Sequence, residues 1–255
     1  MRLTVLGRCG GYPDAGGACA GYLVDAGGAR LLIDAGYGVV SRVLEYGPAR
    51  AISGIILSHL HPDHVAEIPA LQLALEYEAY PPFKWTGQVP TLAPTGAREH
   101  LARFAPTSEE AARMVRFFEF AAIATERRID FQGFTLRFAP ARHVVDTYAM
   151  RIEHGDRCLV YTADTAPADA VTELAAGAHV LLAEATFPDR LQGPASSFAH
   201  LTGTTAGELA RRAGVERLLL THFFPGTNPR EQVDAAQAVF AGPVEAVVER
   251  GTYDI

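Results

Sequence analysis

Six consecutive residues, His59 to His64, read His-Leu-His-Pro-Asp-His and begin one residue after the apolar run Ile55-Ile56-Leu57. Neutral imidazoles are good ligands for zinc and similar borderline metals, and a carboxylate adds a harder, negatively charged donor. Alternate side chains of an extended segment project to one side. A turn at the proline would then aim the first two histidines at one metal ion and the Asp-His pair at a second.

Three further candidate ligands each follow an apolar, strand-like stretch of the chain. They are His143, Asp164 and His222. Metal and catalytic residues in layered α/β folds tend to lie where strands end and loops begin. We therefore expect these three residues to complete the site that the six-residue motif begins.

The order and spacing of these residues resemble the metallo-β-lactamase superfamily nearly from end to end. The resemblance implies that one metal ion is held by His59, His61 and His143, that a second is held by Asp63, His64 and His222, and that Asp164 bridges both. It also implies one domain over residues 1–255 with an αββα sandwich, in which two facing mixed β-sheets are flanked by helices. Periodicity alone leaves a doubly wound sheet open as an alternative.

The second histidine of the motif bears on the type of metal. His61 stands where oxygen-reducing di-iron members of the superfamily carry a glutamate. An imidazole-rich ligand set favours hydrolysis over redox chemistry at iron. We expect two Zn²⁺ ions, with Mn²⁺ or Fe²⁺ as alternatives for the same ligands.

Two later segments resemble motifs of the RNase Z-like branch. Residues 183–187, Ala-Glu-Ala-Thr-Phe, resemble its HEAT motif, and His200-Leu201-Thr202 resembles its HST motif. The resemblance implies that His200 donates a proton beside the scissile phosphate. Glu184 is a candidate for orienting a histidine of the metal site, with a salt bridge at a strand end as the alternative. Asp63 is expected both to bind the second metal and to orient the nucleophile.

Two features of that branch's tRNA-processing enzymes are missing from this sequence. Asp164 follows His143 by 21 positions, which leaves room for a strand, a turn and a strand but not for a long basic arm. Residues 13–17 contain no lysine or arginine where those enzymes carry a basic loop. With a net charge of −7, the chain is not suited to gripping a folded polyanion.

We therefore expect a dizinc phosphodiesterase that cleaves a small or flexible phosphodiester with a hydroxide shared by the two metal ions. Three alternatives remain open: an RNase Z-type endoribonuclease with RNA as its substrate, a carboxylic ester or lactone hydrolase, and a metal-stabilised binding protein with little turnover. The resemblance to this superfamily also implies a homodimer.

Composition is ordinary for a globular enzyme, with 255 residues, 49% of them hydrophobic and 20% charged. The three cysteines lack CxxC spacing, which favours a reducing compartment. Residues 1–7 read as a strand rather than a signal peptide, and no apolar run is long enough to span a bilayer. These features predict a cytoplasmic protein with no membrane partner.

Hydrophobic periodicity and turn residues place strands and helices alternately along the chain. Strands are predicted near residues 2–7, 19–25, 29–34, 53–58, 90–93, 117–124, 127–131, 134–139, 147–152, 157–161, 179–183, 216–220 and 244–248. Helices are predicted near residues 39–46, 65–80, 95–104, 108–115, 167–176, 203–213 and 229–240.

A helical and aromatic insertion is expected at about residues 65–120. Its aromatic residues are Tyr77, Tyr80, Phe83, Trp85, Phe104, Phe117, Phe118 and Phe120. They are interpreted as a mixture of a satellite core and a lid or dimer face beside the metals, with Tyr77, Tyr80, Phe83 and Trp85 expected near the pocket or a partner subunit.

Overall fold

The computed structural model describes residues 1–77 and 87–255 of the chain. The strands are β1 Arg2–Gly7, β2 Gly21–Ala26, β3 Ala29–Ile33, β4 Gly54–Ile56, β5 Val89–Ala93, β6 Phe118–Ala122, β7 Ile129–Phe131, β8 Phe134–Pro140, β9 Tyr148–His154, β10 Arg157–Tyr161, β11 Val180–Glu184, β12 Arg217–Thr221, β13 Val244–Ala246 and β14 Thr252–Asp254. The helices are α1 Val39–Val43, α2 Pro62–Val65, α3 Ile68–Tyr77, α4 Ala97–Ala102, α5 Ser108–Val115, α6 Asp169–Leu174, α7 Gln192–Ser197, α8 Gly203–Ala213 and α9 Pro229–Gln237. Short 3-10 turns cover Leu44–Tyr46, Ala49–Ala51 and Asp189–Leu191.

The strands form two seven-stranded mixed sheets. The first has the order β14-β1-β2-β3-β4-β5-β6, and the second has the order β13-β12-β11-β10-β9-β8-β7. Strands β3 to β6 run parallel in the first sheet, as do β10 to β13 in the second, and the remaining neighbours are antiparallel. The predicted αββα sandwich is confirmed.

One apolar core lies between the two sheets and joins them. Leu3, Val24 and Ile33 of the first sheet share this cluster with Met150 and Leu182 of the second. Two further clusters lie on the outer faces, where the helices pack against each sheet. Burial on both faces explains why the central strands read as continuous apolar runs rather than as alternating ones.

The parallel strands determine where functional residues can meet. Strands β10, β11 and β12 run in the same direction, so their carboxyl ends lie at one edge of the second sheet. Strand β4 of the first sheet ends just before the His59–His64 motif. Side chains that follow these ends are brought together even though they are far apart in the sequence.

Most of the predicted elements are present, usually shorter by a few residues at each end. Helix α2 begins at Pro62, which confirms the turn predicted at that proline. Two elements were not predicted. Strand β14 has only three residues and is held by its pairing with β1, and α7 contains Gly193 and Pro194, which are poor helix formers.

The stretch 65–120 supplies three helices and also strand β5, so it takes part in the first sheet. Phe117 and Phe118 are buried in the outer cluster of that sheet, as the satellite-core interpretation predicts. Tyr77 and Phe104 are exposed, whereas Tyr80, Phe83 and Trp85 lie outside the described residues, as does the predicted end of the helix at 80.

All three cysteines are buried and free. In the described part of the chain, no helix is both long enough and apolar enough to cross a membrane.

The contact between α8 and α9 depends on a residue without a side chain. A Cβ atom at Gly207 would lie 2.7 Å from the carbonyl oxygen of Ala236 and 2.7 Å from a methyl carbon of Val239. We expect Gly207→Ala to lower the free energy of unfolding by about 1–3 kcal/mol, because pushing α9 outward outweighs the gain of up to about 1 kcal/mol in helix propensity. Urea unfolding measures the change.

Gly193→Ala in α7 is the matched control, because a Cβ there would meet no atom within 4 Å. It should leave stability unchanged or raise it slightly. Equal stability of Gly207→Ala and Gly193→Ala would show that a side chain at Gly207 does not push α9 away from α8.

Candidate metal centre

The ends of four strands bring together the side chains that the sequence singled out. His59 and His61 follow β4, and Asp63 and His64 lie in the first turn of α2. The remaining three ligands follow strands of the second sheet. They are His143 after β8, Asp164 after β10 and His222 after β12.

These residues form two groups of possible metal ligands that share one member. The first group is His59, His61, His143 and Asp164, and the second is Asp63, His64, Asp164 and His222. Within each group the ligand atoms lie within 4.8 Å of one another. Asp164 belongs to both groups, which is the position that the predicted bridging role requires.

The first group is built around the Nδ1 atom of His61. This atom lies 3.2 Å from Nε2 of His59 and 3.2 Å from Nε2 of His143. The Oδ2 atom of Asp164 lies 3.7 Å from Nε2 of His59 and 4.0 Å from Nε2 of His143. Three nitrogens and one oxygen therefore face a common centre.

The second group is tighter. Nε2 of His64 and Nε2 of His222 lie 3.1 Å apart. Asp164 Oδ1 lies 3.4 Å and 3.3 Å from these two nitrogens, and Asp63 Oδ2 lies 3.3 Å from the second of them.

Hydrogen bonds on the far side of the rings fix their tautomers. Nδ1 of His64 donates to the Asp34 carboxylate at 2.8 Å, and Nδ1 of His143 donates to the carbonyl oxygen of Ala199 at 3.2 Å. The Ser58 hydroxyl donates to Asp34, so it accepts at 3.1 Å from Nδ1 of His59. In the neutral form that binds metal, each of these rings then presents an unprotonated Nε2 to the site.

His222 is fixed in the same way through Thr186. The Thr186 hydroxyl donates to Glu184 at 2.5 Å, so it accepts at 2.9 Å from Nδ1 of His222. The Nε2 lone pairs of His64 and His222 therefore point at each other across 3.1 Å, an arrangement that a cation between them stabilises.

Asp164 supplies a second reason to place cations here. Its Oδ1 atom is buried and has no hydrogen-bond donor among residues 1–77 and 87–255. A buried, unpaired carboxylate oxygen is costly unless a cation or a donor reaches it. The donor set and this orphaned oxygen both fit bound metal ions.

Electrostatics keep the site in the protonation state that binds metal. Burial lowers the pKa of His59, His61 and His143, so these imidazoles are neutral. Burial raises the pKa of Asp63 and Asp164, but nearby imidazoles outweigh it and the net pKa of both falls. Neutral imidazoles and ionised carboxylates are the forms that coordinate metals.

His64 differs from the other histidines of the site. Burial lowers its pKa, but the carboxylates of Asp164, Asp63 and Asp34 outweigh that effect and raise it well above the usual value. The surroundings of this ring therefore attract positive charge strongly.

The backbone adopts a left-handed conformation at three positions of the site. Asp34 has φ 56°, Ala163 has φ 51° and His222 has φ 57°. Non-glycine residues rarely adopt such angles, and they do so mainly where the surroundings enforce them. The turns after β3, β10 and β12 thus hold Asp34, Asp164 and His222 against the local preference of the chain.

The glycine-rich turn after β1 covers the second group of ligands. The backbone N–H of Gly11 donates to Asp63 Oδ2 at 2.6 Å. A Cβ atom at Gly10 would lie 2.6 Å from the His222 ring, so a side chain there would displace that ring.

His200 lies beside the two ligand groups, just before helix α8. Its Nδ1 donates to Glu184 Oε1 at 2.9 Å. Burial lowers the pKa of His200, but the carboxylates of Glu184, Asp164 and Asp63 outweigh it and raise the pKa to about 9. This ring is therefore an imidazolium, with a proton on each nitrogen, at neutral pH.

Glu184 is fully buried at the end of β11 and organises its neighbours. It accepts from the backbone N–H of Thr165 at 2.6 Å and from the hydroxyl of Thr186, besides His200. It thereby orients His200 directly and His222 through Thr186.

A pocket of about 240 Å³ opens above the ligand groups. His61, Asp63, His143, Asp164, His200 and His222 line it, together with Gly10, Gly11, Val144, Thr186, Phe187, Phe198 and Phe224. The lining residues that the structure describes include no lysine or arginine. It is a small pocket with an apolar wall.

Sequence reasoning did not identify Asp34, Ser58 and Thr186 as residues of the site. Asp34 could have been found, since it directly follows the apolar strand β3 just as Asp164 follows β10. Ser58 and Thr186 carry no comparable signal, because single hydroxyl residues beside a ligand or within a motif are common.

The role of Asp34 can be tested through metal binding. We expect Asp34→Asn to weaken metal affinity about 10- to 100-fold, because the neutral amide no longer fixes and polarises His64. Competition with a chromophoric chelator measures the affinity, and circular dichroism checks that the variant is folded. Asp156→Asn, at a carboxylate that is 85% exposed, is the control. Equal affinity in a folded Asp34 variant would show that this residue does not support the metal centre.

Comparison with known proteins agrees with this geometry. The family model described as "Beta-lactamase superfamily domain" matches residues 29–223. A Bacillus subtilis (strain 168) relative named probable metallo-hydrolase YhfI is 32% identical over 96% of this chain and 96% of its own length. A relative named ribonuclease Z from Mycobacterium sp. (strain KMS) is 32% identical over 95% of this chain and 91% of its own length.

Solved structures show the same fold. The metallo-beta-lactamase fold protein YhfI from Bacillus subtilis superposes with a TM-score of 0.86 at 30% identity, covering 99% of this chain and 98% of that one. The short form of human tRNase Z superposes with a TM-score of 0.79 at 19% identity, covering 100% of this chain and 99% of that one, a likeness of fold alone. The chain belongs to the β-lactamase superfamily and is one of its metal-dependent hydrolases.

Proposed function

We propose that this protein is a dinuclear metal-dependent phosphodiesterase that hydrolyses a small or flexible phosphodiester. The observation that carries the proposal is the combination, in one pocket of about 240 Å³, of two ligand groups that share Asp164 and a histidine held as a proton donor. Binding two cations side by side is suited to an ester whose oxygens gain negative charge during hydrolysis.

His59, His61 and His143 would hold the first metal ion, and Asp63, His64 and His222 the second, with Asp164 available to both because it belongs to both groups. Zinc is the proposed metal, because imidazoles supply most of the ligands. When bound, such ions make water nucleophilic near neutral pH and neutralise the charge that develops on the ester oxygens.

Asp63 orients the attacking water. Its carboxylate lines the pocket and is held by the backbone N–H of Gly11 at 2.6 Å, so its orientation is fixed before substrate arrives. A carboxylate so placed accepts a hydrogen bond from water at the floor of the pocket.

His200 protonates the oxygen of the leaving alcohol. Its Nδ1 is engaged by Glu184, so Nε2 is the nitrogen with a proton free to donate. Glu184 acts as a positioning residue: it holds the ring in place and keeps it protonated. A general acid of this kind contributes about 10²–10⁴-fold in rate.

The structure favours a small substrate over a folded RNA. The segment between His143 and Asp164 is the hairpin of β9 and β10 joined by Gly155-Asp156, with no further element in this described stretch. The described lining of the pocket has no lysine or arginine and the chain carries a net charge of −7, both of which oppose binding of a large polyanion.

A second candidate is endonucleolytic cleavage of RNA, which is favoured by the 32% identity to a relative named ribonuclease Z. For this second candidate, a homodimer would let a partner subunit add RNA-binding surface. Sedimentation velocity of the metal-loaded protein measures the oligomeric state.

His200→Ala should lower kcat about 10²–10⁴-fold for a phosphodiester with an alkyl leaving alcohol, which needs the proton, and much less for bis-p-nitrophenyl phosphate, whose phenolate leaves unprotonated. Metal content, measured by elemental analysis, should stay unchanged. His100→Ala, on helix α4, is the matched control and should behave as the parent protein. Loss of metal from the His200 variant would make His200 a ligand rather than a proton donor.

The reaction class is tested by substrate choice. We expect metal-dependent hydrolysis of bis-p-nitrophenyl phosphate that stops on chelation and returns when zinc is added, because the ligand groups supply the cations that the reaction needs. Efficient cleavage of p-nitrophenyl acetate or a lactone with no cleavage of the phosphodiester would make the protein a carboxylic ester hydrolase. No turnover of any ester by protein that contains two metals would favour a binding protein.

Incubation with a 3′-extended tRNA precursor separates the two phosphodiesterase candidates. We expect no cut at the discriminator base at enzyme concentrations that cleave the small ester, since the small pocket and acidic surface do not suit a folded RNA. A product cut at the discriminator base would establish RNA processing as the function.

A further inference from the structure

Three phenylalanine rings form one wall of the pocket, which we call the phenyl wall: Phe187, Phe198 and Phe224. The centroids of Phe187 and Phe224 are 5.3 Å apart with planes inclined at 29°. Those of Phe187 and Phe198 are 6.4 Å apart with planes inclined at 30°. The planes of Phe198 and Phe224 each lie within about 30° of the plane of Phe187, an arrangement compatible with offset stacking on that ring.

The outer ring of the phenyl wall is open to solvent. Phe187 is buried at 8% exposure, whereas Phe198 is 59% exposed at the mouth of the pocket. Val144, on the loop after His143, is 62% exposed and lines the same pocket. Exposed apolar groups clustered at the rim of a polar site mark a binding surface more often than isolated ones do.

The phenyl wall lies on the side of the pocket where the leaving group departs. The ring of Phe187 meets the ring of His200 edge to face, with centroids 5.8 Å apart. Phe198 lies two residues before His200, at the end of α7. A group attached to the oxygen that His200 protonates would therefore contact these rings.

We propose that the phenyl wall is a subsite for a planar aromatic ring carried by the leaving alcohol of the substrate, with Phe198 as its specificity-determining residue. This inference rests on the proposed function, because it takes His200 as the donor to the leaving oxygen. Aromatic side chains stack on the face of any planar ring, so the wall would select for a ring and not distinguish one ring from another.

The test compares two ligands that differ only in a planar ring. Adenosine 5′-monophosphate and ribose 5-phosphate share a sugar and a phosphate for the metal ions, and only the first has a base. Isothermal titration calorimetry with zinc-loaded protein should show about five- to hundredfold tighter binding of adenosine 5′-monophosphate.

Substitution of the exposed ring separates stacking from simple apolar contact. Phe198→Leu keeps an apolar side chain but removes the flat face, and it should reduce the preference at least about threefold, whereas Phe198→Tyr should retain it. Phe104→Leu is the matched control, at a ring that is 44% exposed outside the pocket, and it should leave the preference unchanged. Since Phe198 is exposed, its variants are expected to fold.

Equal affinity for the two ligands, or a preference that Phe198→Leu leaves intact, would overturn the subsite. So would a change from dimer to monomer in Phe198→Leu without loss of preference, because the ring would then cover a second copy of the chain. Hydrolysis of bis-p-nitrophenyl phosphate by the same preparations distinguishes the two proposals. A ring preference without hydrolysis refutes the proposed function alone, and hydrolysis without a ring preference refutes the subsite alone.

Discussion

The buried carboxylate of Asp164 is the constraint around which the site is built. Its Oδ2 atom faces two histidines of the first ligand group, and its Oδ1 atom faces two histidines of the second. Oδ1 has no hydrogen-bond donor in the described chain. An unpaired buried charge costs several kcal/mol. No arginine or lysine among residues 1–77 and 87–255 relieves that cost. It surrounds the carboxylate with nitrogen lone pairs, so cations are the partners that complete the site.

The hydrogen bonds behind the ligands explain why those lone pairs point inward. Asp34 holds His64 directly and His59 through Ser58, while Glu184 holds His222 through Thr186. Each chain of contacts begins in a buried carboxylate and ends at a histidine. The two carboxylates lie on different sheets, Asp34 after β3 and Glu184 at the end of β11. The ligands are thus oriented by the packing of the sandwich as a whole, which preorganises the site.

The sequence predicted the sandwich, and it singled out nine residues that the structure brings together, because their signals are local. The His59–His64 motif shows its spacing in six letters, and His143, Asp164 and His222 each follow a strand. The supporting residues were missed for a physical reason. Ser58 and Thr186 act through contacts with residues distant in sequence, and a hydroxyl residue looks the same whether or not it has such a partner. Strand β14 and helix α7 were missed likewise, since tertiary pairing rather than local propensity maintains them.

Charge and shape together define what this site selects. A net charge of −7 repels a long polyanion at distances within a Debye length, whereas the two cations of the proposed function would attract a single phosphodiester at contact. The pocket of about 240 Å³ lies between the histidines and the phenyl wall. Distant repulsion and local attraction therefore act at different ranges and favour the same kind of ligand, a small ester with one negative charge and an apolar group beside His200. The lack of basic side chains at residues 13–17 and the short β9–β10 hairpin agree with a small substrate. A substrate that enters the pocket whole needs no basic arm outside it.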